Sequence, residues 1–137
     1  MTIRESILTA AAAQLTAIAG ITTRRAPITA LARGEMPAIS IVALRDTVDD
    51  RKNNISEHTL RILVSVMVRG ANPESLADPF CDLAHVALTT NQNLGGALSI
   101  NLEIVAFESE EADGIAAAVV SSTYAITYRS RQTSLSI

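Results

Sequence analysis

The chain has 137 residues and a mass of 14.5 kDa, which is enough for one domain with its own core. With 48% apolar and 18% charged residues it is no disordered polyampholyte, and a net charge of −3 with a pI near 5.3 argues against a dedicated nucleic-acid binder, whose domains usually lie above a pI of about 9. One cysteine, Cys81, excludes an internal disulfide framework and a cysteine-only zinc site and suits a reducing compartment, while the longest apolar run falls far short of the roughly 20 residues of a membrane helix.

The opening MTIRESILTAAAAQLTAIAG carries Glu5 and Gln14 and has no basic cluster ahead of a continuous apolar stretch, so it reads as mature structure, not a signal peptide. Thr2 and Glu5 form a capping box, and Ile3, Ile7, Leu8, Ala11, Leu15 and Ile18 recur at helical spacing up to Gly20. A short or edge strand follows within Ile21–Ile28, closed by Pro27, and then a loop through Gly34 and Pro37. Ala38–Leu44 is apolar on both faces and predicts a strand covered on both sides. Arg45–Glu57 is polar and without periodicity, so it reads as a long exposed loop, mobile or functional.

Thr59–Arg69 alternates, with Leu60, Ile62, Val64, Val66 and Val68 on one face and Arg61, Ser65 and Arg69 on the other. Asn72 then caps a helix with Pro73 in its first position, running to about Thr90; Pro79 in its second turn predicts a kink or a separate first turn. Gly95-Gly96 breaks the chain. Leu98–Phe107 alternates with Asn101 and Glu103 on the wetter face, Glu108–Gly114 is an acidic turn, and Ile115–Arg129 is a last strand whose Tyr124, Ile126 and Tyr128 share a face. Residues 130–137 read as a flexible tail. The order predicts a single α+β domain over residues 1–137: a mainly antiparallel sheet of about five strands with two helices on one face.

Chemistry-bearing patterns are sparse. Cys81 and His85 stand at helical i, i+4 spacing near Asp78 and Asp82, but a small apolar thiol beside a partly buried histidine is the ordinary reading. Glu108, Glu110, Glu111 and Asp113 lack a calcium-loop pattern, and Gly95-Gly96 follows a helix where a phosphate cradle would open one. No catalytic residue, cofactor or metal site is expected. A small hydrolase of acylphosphatase type would need a glycine-rich loop that the Arg24-Arg25 pair lacks, and a ligand-sensing regulatory module stays open as an alternative. Ten of the eleven basic residues are arginine, a side chain favoured at protein interfaces for its planar fork and weak hydration. Leu63, Met67, Val105 and Phe107 are expected on the sheet face away from the core, interleaved with Arg61, Arg69 and Glu103, where a partner would cover them.

In this order the pieces resemble the tail terminator proteins of long-tailed bacteriophages and prophages, the minor tail protein U-like family. The resemblance rests on AIAGI, MPAISI and its polar loop, TLRILVSVMVRG running into NPESLADPFCDLAHVAL, LGGALSINLEIV and the closing YAITYR, which together span nearly the whole chain. It implies a structural, non-enzymatic protein. Such proteins form a ring, typically a hexamer, on the head-proximal end of the tail tube, end its polymerisation and offer the head-attachment surface. The implied partners are copies of itself, the tube protein and head–tail connector proteins, with viral DNA passing through unread and no membrane. The implied location is the virion tail, and the host cytoplasm during assembly. Arg24, Arg25, Arg61 and Arg69 are then candidates for subunit or tube contacts, with Asp46, Asp49, Asp50 and Arg51 for the loop's share. A neighbouring neck protein of similar fold is the alternative within phage assembly.

Overall fold

The computed structural model describes residues 1–26, 37–91, 93–112 and 115–135. Its elements run α1 (Ile3–Thr16), β1 (Thr22–Arg24), β2 (Ala38–Lys52), β3 (Ile55–Arg69), α2 (Pro73–Thr89), a short 3₁₀ turn (Leu94–Gly96), β4 (Ser99–Ala112) and β5 (Ile115–Arg131). The strands form one sheet in the order β1-β2-β3-β5-β4, antiparallel throughout except for the three-residue β1, which runs parallel to β2 with Thr22 opposite Ala38. This is the expected α+β architecture, with a parallel pair in place of one hairpin.

β3 pairs with β5 without a register shift and keeps its core face, while Ser65 and Met67 on the opposite face are buried too. Leu60, Ile62, Val64, Val66 and Val68 meet Ile39 and Ile41 of β2 and Val120, Tyr124, Ile126 and Tyr128 of β5 in a single core. Both helices close that core from the same side, α1 through Ile7, Leu8, Ala11 and Leu15 and α2 through Ala77, Ala84 and Leu88. Burying those side chains, at roughly 25 cal/mol per Å² of apolar surface, is the main force holding the layers together. Thr2 Oγ1 accepts the Glu5 N–H at 3.1 Å, as a capping box requires. Glu5 does not reach back to Thr2; Arg25 takes its carboxylate at 2.5 and 3.1 Å. The helix ends at Thr16, a turn before Gly20.

The segment read as a loop, Arg45–Glu57, is a β-hairpin. β2 continues to Lys52 and pairs with β3 from Arg45↔Arg61 to Lys52↔Ile55, around a turn whose Asn53 and Asn54 have φ of +52° and +64°. Two consecutive left-handed residues give the turn that matches strand twist, and asparagine tolerates them well. Two register shifts, at Ala43/Arg45 and Val48/Asp50, explain the missing periodicity: each bulge adds a residue and moves the following side chains to the other face. The double burial predicted for Ala38–Leu44 holds only to Ile41, and Leu44 is exposed.

The predicted flexible tail is also corrected, as far as residue 135. β5 includes Ser130 and Arg131, Gln132 N–H donates to the Asn54 carbonyl at 2.8 Å, and Ile3 N–H donates to the Leu135 carbonyl at 3.1 Å. Residues 136 and 137, like Pro27, Ile28, Gly34, Asp113 and Gly114, lie outside the described residues. Asn72 does stand at the start of α2, but with φ +52° and no side-chain cap bond, so Pro73 marks the helix start alone. The helix runs through Pro79 without a break; Ser75, whose carbonyl that proline leaves without an N–H, is exposed to water. Gly95 is a close-approach residue and not a cap for α2: its φ is +61°, and a Cβ there would stand 2.6 Å from Ile7 Cα and from the Ser6 carbonyl oxygen of α1.

Most of the expected acidic turn is strand, since β4 runs to Ala112. Leu63 and Met67 lie on the face away from the helices, where Met67 is already buried within the chain and needs no partner to cover it, but Val105 and Phe107 do not lie there. A bulge between Leu102 and Ile104 reverses the alternation, so Ile104 joins Asn101 on that far face while Val105 and Phe107 turn toward α2.

Candidate functional site

At one end of the core four elements converge on the Asp46 carboxylate. Arg4 of α1 donates to its Oδ2 at 3.1 Å, His58 Nδ1 lies 3.0 Å from its Oδ1, and the Tyr128 hydroxyl donates to Oδ2. His58 Nε2 lies 2.8 Å from Ser130 Oγ, and the imidazole stacks on Tyr128 with centroids 4.5 Å apart. The register places these side chains together: His58 is opposite Tyr128 and Ser56 opposite Ser130. Burial, and after it the hydrogen bond to Asp46, pushes the Tyr128 hydroxyl well above the usual phenol range.

The contacts Asp46–His58–Ser130 follow the order of a hydrolase triad. Ser130, however, is only 1% exposed and His58 4%, so Oγ presents no open face to a substrate. What the arrangement does is cross-tie β2, β3, β5 and α1 through satisfied polar groups.

The other end of β5 is open. His85 Nδ1 lies 2.9 Å from the Tyr124 hydroxyl, with the two rings stacked at 5.8 Å. Burial, then the nearby Cys81, pushes Tyr124 up to about 12. Burial, then Asp78, also raises the Cys81 thiol, which keeps it protonated and unreactive at neutral pH. These residues line a groove of about 430 Å³ between α2 and β4, whose walls include Asp78, Asp82, Leu102, Val105 and Phe107. β4 has β5 on one side and, among the described residues, no strand on the other. Leu102, Ile104, Val105 and Phe107 are 41–63% exposed. Such a run on a free edge strand is what isolated soluble domains avoid and docking surfaces use. Among the described residues no three His, Cys, Asp or Glu side chains are grouped to hold a metal, and no helix is long and apolar enough to cross a membrane.

The residues singled out from sequence do not form one patch. Arg25 is paired with Glu5, whose carboxyl it holds below the usual range. Arg24 lies on β1 opposite Ser40. Arg61 spans to Glu103 at 2.9 Å on the face away from the helices, and Arg69 lines an apolar cavity of about 480 Å³ with Val68, Leu76 and Phe80. On the hairpin, Asp49 accepts from Thr59, and Asp50 accepts the Arg51 N–H at 2.8 Å. Asp46 is turned inward, and its side chain is only 11% exposed, so it is a core tie and not an exposed contact. Sequence reading missed His58, Tyr128 and Ser130, whose polar network exists only once the hairpin is paired. Their shared parity with the core residues of β3 and β5 was the available signal.

No family model matches the chain, and no curated protein is similar to it.

Proposed function

We propose that the chain is a structural protein of a long-tailed phage or prophage: a tail terminator that closes into a ring at the head-proximal mouth of the tail tube, ends tube growth and presents the head-attachment surface. The sequence resemblance over nearly its whole length brings this reading. The observation that carries it is the long strand β4, which among the described residues has no strand on its outer side and exposes Leu102, Ile104, Val105 and Phe107, beside the open groove along α2. A protein built to mate with copies of itself needs such a surface, and head-to-tail contacts between unlike patches close into rings when the rotation per subunit allows. Catalysis has no part in this reading; the protein acts by shape.

The deciding experiment measures mass by light scattering and outline by negative-stain imaging, with and without purified tail tubes. A ring, or a cap seated on one tube end with tube length fixed, is expected. A chain that stays monomeric at every concentration and ignores tubes overturns the reading.

A further inference from the structure

Charge is segregated across this fold. α2 and β4 contain acidic residues and no Lys or Arg at all, so every lysine and arginine of the chain lies elsewhere. The sheet order sets β4 at one edge and β1 with β2 at the other. β1 covers only Ala38–Ser40 of β2, which leaves residues 44–52 on the outer edge without a strand neighbour among the described residues. That stretch exposes two large apolar side chains, Leu44 at 51% and Val48 at 41%, together with Arg45, Arg51 and Lys52. Its acids are largely engaged within the subunit, Asp46 inward with His58 and Asp49 with Thr59.

We propose that the α2–β4 face docks a second copy of this chain through the free β2 edge of that copy. This deepens the ring reading and rests on it. Three observations select this occupant. Like-with-like antiparallel pairing of β4 about its centre would set Glu103 of each copy opposite Glu108 of the other, and like charges opposite in a sheet are destabilising. β2 brings cations beside apolar side chains to a groove face where the apolar side chains of β4 lie beside Asp78 and Asp82 of α2. The polarity also fits: β2, β3, β5 and β4 alternate in direction, so β4 runs opposite to β2, and a copy set alongside continues the antiparallel pattern. The free part of β2 pairs with residues 55–61 of β3, whereas β4 begins opposite Thr127, itself opposite Thr59. The second copy must therefore shift along the strands, the stagger that a sheet needs in order to close on itself.

Charge reversal on each edge tests this. Asp78→Lys with Asp82→Lys alters the acidic face, and Arg51→Glu with Lys52→Glu the basic edge; all four positions are exposed. By sedimentation velocity each variant alone is expected to lose assembly, while an equimolar mixture regains the wild-type mass, because each supplies the edge the other lacks. Phe107→Ser, which leaves charge untouched, is expected to weaken self-association at least tenfold. Either charge variant assembling alone like the wild type, or a mixture that stays monomeric, overturns this interface while a wild-type ring stands. A wild-type chain that never self-associates removes the ring reading itself.

Discussion

Two histidines stack on two tyrosines of the same strand, four residues apart, and their surroundings differ completely. The His58–Tyr128 stack is sealed: Asp46, Arg4 and Ser130 complete its hydrogen bonds, and His58 is 4% exposed. The His85–Tyr124 stack is joined by a hydrogen bond between its own two members and has a groove in front of it. The difference lies in what covers β5. At one end the β2–β3 hairpin and the first turn of α1 close over it; at the other, α2 leans across and β4 stands uncovered beyond. A polar group with all its partners in place holds a core in one arrangement, and one facing a groove costs little because water reaches it. The sealed end fixes the subunit, and the open end is the surface left for others.

The largest effect expected from this contrast comes from Asp46→Ala. It strips Arg4, His58 and Tyr128 of their shared acceptor, and removing one partner from a largely buried charged network costs about 3–5 kcal/mol. Urea unfolding should show the loss as a lowered midpoint with unchanged slope. A loss under about 1 kcal/mol would mean that the end is not sealed.

Gly95→Ala should act on the same lid from the other side. The new methyl group would meet α1 backbone at 2.6 Å in a left-handed conformation, so α1 must move, at a cost of about 3 kcal/mol. Thermal unfolding checks the loss, and faster hydrogen exchange in residues 3–8 checks that the displaced element is α1.

Raising pH tests both stacks together. A tyrosine whose pKa is higher folded than unfolded keeps its proton in the native state, so its contribution is fully present below the usual value of 10 and fades as pH rises through the folded value. For Tyr124 that window runs from 10 to about 12, and Tyr128 is raised as well, by burial and by Asp46. Alkaline unfolding followed by circular dichroism should track tyrosinate absorbance. Tyrosines that ionise near pH 10 with the fold intact would contradict the burial.

How far this contrast could be read from the sequence depends on how regular each element is. β3 and the closing strand pair with each other without a register shift, so their core faces were legible, although residues 64–68 and 117–120 are buried on both faces. α1 declared itself by its stripe and by Thr2. The β2 hairpin and the far half of β4 were misread for one reason, bulges that break the period of two at Ala43/Arg45, Val48/Asp50 and Leu102/Ile104. Because a bulge is a backbone event, the side-chain pattern on either side of it looks like noise or points to the wrong face. The Asp46–His58–Ser130 tie was invisible for the same reason, since its acid lay in what read as loop. The groove was half legible: apolar residues on β4 were expected to need cover, but on the opposite face of the sheet.

The smallest effect belongs to the open stack. His85→Ala removes one hydrogen bond from the Tyr124 hydroxyl and a ring contact, and the groove lets water take the vacated place, so the loss should be about 1 kcal/mol. Letting water in also lowers the desolvation that dominates the Tyr124 shift, so this tyrosine should titrate closer to 10 in the variant while Tyr128 keeps its raised value. Spectrophotometric titration separates the two, because Tyr124→Phe removes one component. A destabilisation as large as that of Asp46→Ala would make His85 a core tie equal to His58. The groove would then be a flaw in packing, with no spare surface for a second subunit to use.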